Sequence, residues 1–537
     1  MTASGSSVSV ARLREMLGDG VELALIDVRE QGLFGREHLF RAVNIPAGCL
    51  PLRLPRLVPN ADVRMVLVDE DGEMSARATA VTAALGYRNV AILEGGARAW
   101  VAAGYECYSG VNVPSKAFGE FVETRWQTPH VTAAALDDMI RAGEDLVILD
   151  SRPFTEFHNM SIPGGICTPG AELVRRVKAV VPDDTTPVVV NCAGRTRSII
   201  GAQSLINAGL PNPVMALKDG TMGWHLAGLA LDHGAKVAAP DPAAPVVAWA
   251  QDAAARVRRR FDVPLVTGAD IDDLKGDKRR TLFVLDVRTA DEFAAGHLPG
   301  SFHAPGGQLV QATDEYVGVA NARLVLVDDD EVRASMTASW LLQMGWPEVL
   351  VLAGGIAGGA TETGSASPPL EIPAATAIAP AALYWRYESG EAIVILDLAN
   401  SREYQKGHIP GAWWGLRSRI DEVAAKLGSA TAVVVTSEDG LLAHFGAADL
   451  GLLVPDLEIA YLEGGTDAWV RSAYRLDAGL GEMTTTVDDN YLKPYENKAA
   501  AEAAMQGYLD WEVALIAQMD RDGIDFSRFI PERATDG

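Results

Sequence analysis

Of the four cysteines in the chain, one stands where a thiol can react. Cys192 opens the stretch CAGRTRSIIGAQSLINAG, directly after the apolar run TPVVVN. A strand that ends on a thiol and turns into a helix puts that thiol where backbone N–H groups and the helix dipole converge. An ordinary thiol is only a few per cent thiolate at neutral pH, and a helix N-terminus with Arg195 and Arg197 alongside favours the anion. Gly194 lets the loop curl so that its amides face inward. The chemistry implied is nucleophilic attack by a thiolate in an anion-binding cradle. A buried structural thiol is the commoner fate of a free cysteine, but it does not call for two nearby arginines. Cys49, Cys107 and Cys167 lack such neighbours and read as structural. Cys167 is the only candidate for a resolving partner.

The elements that hold Cys192 recur four times, and repeats of this kind define the fold. A short apolar strand ends on Asp27 in LALID, Asp150 in LVILD, Asp286 in LFVLD and Asp397 in AIVILD. A second apolar strand follows each, in VRMVLVD, TPVVVNC, RLVLVDD and TAVVVTS. Asp69, Cys192 and Asp328 each lie 42 residues after the first Asp, and Thr436 lies 39 after its own. Between the strands come HLFRAVNIP from His38, SIPGGICTP from Ser161, HLPGSFHAP from His297 and HIPGAWWG from His408. Each copy closes with an apolar strand and a glycine turn, as in ILEGGARAW and YLEGGTDAW. Short apolar strands alternating with helical patterns indicate α/β units, each a small parallel sheet flanked by helices.

The units are placed at residues 7–108, 129–232, 262–357 and 376–480, with a helical tail over 481–537. Residues 236–248 and 358–381 have the Ala, Pro, Gly and Ser content of semi-rigid connectors. Residues 109–128 carry aromatics and are expected to pack. In the tail, AAAEAAMQGYLDWEVALIAQM predicts an amphipathic helix that docks on a domain face.

Composition narrows the partners. Lys and Arg number 46 against 71 Asp and Glu, a net charge of −25, which opposes nucleic acid or an anionic membrane as partner. The N-terminus lacks the pattern of a secretory signal, and no apolar run approaches a membrane span. Four cysteines make no disulfide framework, so a reducing cytoplasm is expected. No Cys/His cluster has zinc spacing and no phosphate loop appears, so no metal or cofactor is expected.

Together, the Asp-x-Arg strand end, the His-Ile-Pro-Gly-Ala-like turn, the Cys loop and the Gly-Gly-x-x-x-Trp ending resemble the rhodanese family. The resemblance covers roughly residues 7–480, as four tandem domains. It implies sulfur transfer: the Cys192 thiolate takes a sulfane sulfur from a donor as a persulfide and passes it to a thiophilic acceptor. It further implies that the loop of Ala193, Gly194, Arg195, Thr196, Arg197 and Ser198 stabilises the persulfide through its amides. Arg195 and Arg197 would hold the anionic end of the donor. Arg152, of Asp150-Ser151-Arg152, is expected to anchor the loop by an ion pair, with substrate contact as the alternative. Asp69, Asp328 and Thr436, read into the Cys slot of the other units, cannot form a persulfide.

Thiosulfate is the favoured donor, as two arginines suit a compact dianion. 3-Mercaptopyruvate is the alternative, and the acceptor is cyanide, a small thiol or a protein thiol. Two rivals use the same residues. A phosphatase of related fold needs Cys-x5-Arg, whereas Cys192 to Arg197 is Cys-x4-Arg. A non-catalytic scaffold or sulfur sensor is suggested by the three units without a thiol in the Cys slot. RVRRR at 256–260 reads as a solvated linker helix, and His158 as a surface or packing histidine with an acid–base role as the alternative.

Overall fold

The computed structural model describes residues 6–357, 359, 361–364, 370–496 and 500–532. Four parallel sheets with one strand order succeed each other along the chain. In the second unit the order is His130–Val131, Val214–Leu217, Val188–Asn191, Val147–Asp150, Gly165–Cys167. The strands flanking the site, VILD and VVVN, are buried throughout, as expected of parallel strands covered on both faces. The fourth sheet gains a sixth strand, Glu482–Met483, so the tail begins as sheet before it becomes helix.

Register corrects one sequence assignment. Asp27, Asp150, Asp286 and Asp397 lie opposite Val68, Asn191, Val327 and Thr436. The next residue is therefore the Cys slot: Asp69, Cys192, Asp328 and, in the fourth unit, Ser437 rather than Thr436. The amides of Ala97, Thr221, Ile356 and Thr466 donate to those four carbonyls and confirm the equivalence. The fourth crossover is two residues shorter than the others, so the interval does not mark the slot there, and the end of the apolar run, Thr436, falls one residue before it.

The units share their interior. One apolar cluster joins side chains of the first three units and the tail, from Ala24 to Phe526. Corresponding segments meet in pairs. Gly170 of the second unit touches Gly307 of the third, and Arg417 of the fourth donates to the Gly48 carbonyl of the first at 2.7 Å.

The connectors are structured too. Residues 109–128 supply the helix Val113–Trp126, whose Phe118 ring meets Trp340 and Phe526 at 6.1 and 5.3 Å. Residues 236–248 run beside Cys167 and then enter the helix Ala244–Arg260. That helix buries Ala250, Ala253, Ala254 and Val257, and Arg258 pairs with Glu331 at 2.8 Å. It is a packed brace, not a solvated linker. The connector 358–381 lies partly outside the described residues. The tail helix Ala501–Asp522 buries Met505, Leu509, Glu512, Leu515 and Met519 against the helix Val113–Trp126 and the second unit.

Candidate active site

Cys192 follows the strand Val188–Asn191 and precedes the helix Thr196–Asn207. It is 2% exposed, and its Sγ lies 3.5 Å from Ser198 Oγ. The inactive slots reveal which way the loop amides point. Asp69 accepts from the amides of Gly72, Met74 and Ser75 at 2.6, 2.6 and 3.1 Å. Asp328 accepts from Glu331 and Ala334 at 2.8 and 3.0 Å. By the same offsets, the amides of Arg195, Arg197 and Ser198 converge on position 192. Two units fill this cradle with a carboxylate, and the second unit fills it with sulfur.

The neighbouring side chains divide their tasks. Arg152 is fully buried, bonded to Asp150 at 2.8 and 2.6 Å and donating to the Met160 carbonyl at 2.7 Å. Arg29 and Arg288 make the same bonds in their units, and Arg152 does not line the cavity at Cys192. It is a fold staple. Arg195 turns to three carboxylates: Glu120 at 2.7 and 2.8 Å, Asp219 at 2.9 Å, and Glu123. Its guanidinium is thus committed to neutralising the inter-unit helix, which leaves little of it for a donor. Arg197 pairs with Glu156 at 2.9 Å and donates to Gln308 of the third unit at 3.1 Å. Burial opposes ionisation of Glu156, but the Arg197 charge outweighs it and holds that carboxyl at about 2.

A cavity of about 230 Å³ opens over Cys192 and the loop residues 193–197. Its walls come from every part of the chain except the fourth unit: Gln31 from the first, Lys116 from the inter-unit helix, Gln308 and Glu315 from the third, Lys493, Tyr508 and Glu512 from the tail. Two glycines make this closure possible. A Cβ on Gly119 would stand 2.8 Å from Thr196 Cγ2, and one on Gly194 would stand 2.9 Å from Met222 Cε.

Motif reading located the loop but not Lys116, Glu120, Glu156, Gln308, Tyr508 or Glu512. The aromatics of 109–128 and the amphipathic tail helix were the available signals, and they predicted packing only. His158 bonds the Ala235 carbonyl at 3.0 Å and stacks on Phe154, outside the cavity. Cys167 is buried beside the Arg152 carbonyl, and burial pushes its thiol up to about 12. Burial likewise raises Cys49 to about 11 and Cys107 to about 12.

The rhodanese-like domain model matches residues 9–103, 132–227, 268–362 and 379–472. The chain belongs to the rhodanese-like family. A crystal structure of a thiosulfate sulfurtransferase from Pseudomonas aeruginosa is similar at 44% identity, with a TM-score of 0.93, over 96% of this chain and 98% of that one. A rhodanese-related protein from Thermoplasma volcanium matches at 26% identity over 19% of this chain and 96% of its own, with a TM-score of 0.17. An HTH-type transcriptional regulator of Mycobacterium tuberculosis is 35% identical over 107 residues, 20% of this chain. The match spans 46% of that regulator's length. Among the described residues, no helix of this rhodanese-like chain is long and apolar enough to cross a membrane, and all four cysteines are free.

Proposed function

We propose that this rhodanese-like protein is a sulfurtransferase with one working thiol, Cys192, acting on thiosulfate. The Cys192 thiolate attacks the sulfane sulfur, the donor S–S bond breaks, and its electron pair leaves with sulfite. The terminal sulfur of the resulting persulfide lies in the amide cradle of Arg195, Arg197 and Ser198, where partial positive charge meets the anion. An acceptor such as cyanide or a small thiolate then attacks that sulfur, and the Cys192 thiolate is restored. The observation that carries the proposal is the slot itself: of four equivalent cradles, the second alone holds a thiol, and it faces a cavity.

Cys192 is nearly buried beneath walls from distant segments, which favours a small acceptor over a folded protein's thiol. The free cysteines suit a reducing compartment such as the cytoplasm. The commitment of Arg195 to carboxylates makes the loop less basic than its sequence and supports 3-mercaptopyruvate as a second reading of the donor.

The test is intact-protein mass spectrometry after brief exposure to thiosulfate, with peptide mapping. One added sulfur on Cys192 is expected, and none on the Cys192→Ser protein. An adduct from 3-mercaptopyruvate alone would transfer the proposal to that donor, and no adduct from either would return the chain to the scaffold class.

A further inference from the structure

Among the described residues, the side chain of the buried Lys116 makes no hydrogen bond. It is 9% exposed and lines the cavity at Cys192, carried there by the helix that joins the first two units. Among the described residues its ammonium lies within ion-pair range of a single carboxylate, Glu512, at 3.8 Å, too long for a hydrogen bond. An ammonium withdrawn from bulk water, facing a cavity and without a close protein acceptor, is placed to take an anion that enters that cavity.

Glu512 reaches the cavity from the tail helix and is itself half satisfied. Its Oε1 accepts from Tyr508 at 3.1 Å and Thr196 at 3.4 Å. Its Oε2 is buried with no partner and lies 3.1 Å from where a Cβ on Gly194 would be. An ionised Oε2 is badly placed there, whereas a protonated one is a donor facing the loop that holds Cys192.

We propose that Lys116 and Glu512 form the seat for the anionic end of the sulfur donor. Lys116 binds the oxyanion, and Glu512, its partner in the empty site, takes a proton from solvent and donates through Oε2 when the anion arrives. The seat rests on the sulfurtransferase reading for its purpose, but not for its binding of an anion.

The pH dependence has a definite sign. Burial raises the Glu512 carboxyl, partly offset by Lys116, and burial lowers the Lys116 ammonium, partly offset by Glu512. As pH rises, an ionised Glu512 competes with the donor for Lys116, so affinity falls. The other charged or titratable groups around the pair are Tyr508, Tyr491, Arg195, Arg197, Glu156, Glu120 and the Cys192 thiol, with Lys493, Tyr495 and Glu315 on the walls of the same cavity. Burial holds Tyr508 and Tyr491 up, so they stay neutral, and the guanidiniums stay charged. Burial raises the Glu120 carboxyl against the pull of Arg195, and its charge near the pair makes a Glu512 variant the necessary control.

The experiment is calorimetric titration of the full chain with sulfate, an unreactive dianion, at pH 6 and pH 8. It is run beside mass spectrometry of thiosulfate-treated Cys192. Lys116→Gln is expected to weaken sulfate binding by about tenfold or more, the loss typical of a charge-assisted hydrogen bond, with Lys116→Arg recovering most of it. Glu512→Gln keeps a donor and removes the competing charge, so it should bind sulfate at pH 8 as tightly as the unmodified protein does at pH 6. Should Lys116→Gln fail to fold, the Glu512→Gln result at pH 8 decides alone. Sulfate binding unchanged by Lys116→Gln, a fall from pH 6 to pH 8 undiminished in Glu512→Gln, or no binding by the unmodified protein overturns the proposal, and Cys192 can still form its persulfide. Lys116-dependent sulfate binding without any persulfide supports the seat and removes the sulfurtransferase reading instead.

Discussion

Arg195 lies across Glu120 in a two-bond pair, Nε to Oε1 at 2.7 Å and Nη2 to Oε2 at 2.8 Å. Arg195 belongs to the Cys192 loop and Glu120 to the helix Val113–Trp126, so this pair fixes the loop to the segment that also carries Lys116. Both side chains are nearly buried, at 7% and 4% exposure. An arginine that looks like substrate-binding machinery from its spacing is in fact the joint between two parts of the site.

Removing half of such a joint leaves a buried charge unpaired. Arg195→Ala is therefore expected to destabilise the protein by about 3–5 kcal/mol, seen as a lowered midpoint in denaturant. Arg197→Ala should act instead on the donor, raising its KM about tenfold or more, because Arg197 in the cavity wall is held by one carboxylate, Glu156, where Arg195 is held by three. Steady-state kinetics on both variants separates the roles. Equal KM increases would return Arg195 to the donor site.

The inactive units foretell a particular substitution. Asp69 and Asp328 show that a carboxylate fits the cradle and satisfies its amides. Cys192→Asp should abolish sulfur transfer while retaining a thermal midpoint within about 2 °C of the parent, which for a chain of this length is a shift of about 1–2 kcal/mol or less. A variant that is inactive because it unfolds would show that the second cradle differs from the other two. The converse change, Asp69→Cys, is expected to yield no activity, since Glu70, Asp71 and Glu73 surround that slot with negative charge.

The fourth unit departs from the Asp-x-Arg pattern, with consequences for stability. Asp397 is 1% exposed and has Ala399 where the other units have arginine, so among the described residues its carboxylate accepts only the Ala399 amide, at 2.9 Å. Burial pushes this carboxyl up to about 7. The folded chain holds this proton more tightly than the unfolded one, so the contribution of Asp397 to stability is fully present only below the usual carboxylate range. It is lost as pH rises from about 4 through about 7, by an amount on the order of 2–4 kcal/mol. Asp397→Asn should remove this component, and urea unfolding at pH 5 and pH 8 measures it. A variant whose stability falls by the same amount between those pH values as the parent's would place the effect elsewhere.

The fold and the thiol were legible because both are local. Strand runs such as LVILD and VVVNC declare buried parallel strands by composition, and Cys192 declares itself by the arginines beside it. The chamber around the thiol was not legible. Lys116, Gln308 and Glu512 are separated from Cys192 by 76, 116 and 320 residues and meet it only through packing between units. Charge spacing also misleads where partners are remote: Arg195 sits three residues from Cys192, yet its charge is answered by Glu120. Even register failed locally, since the shorter fourth unit offers no matching interval and its apolar run ends on Thr436, one residue before Ser437.

The tail helix unites stability and chemistry, and one substitution tests both. Leu515 is 1% exposed in the shared apolar cluster, three residues after Glu512 on the same helix. Leu515→Ala should cost about 2–5 kcal/mol by loss of burial and the cavity left behind. Because the loosened helix also carries Tyr508 and Glu512, the folded variant should transfer sulfur less well although no residue of the Cys192 loop has changed. Val513, 53% exposed, provides the control: Val513→Ala should alter stability by no more than about 0.5 kcal/mol and leave transfer intact. Transfer rates of folded Leu515→Ala equal to those of the parent would mean that the tail covers the chamber without shaping it.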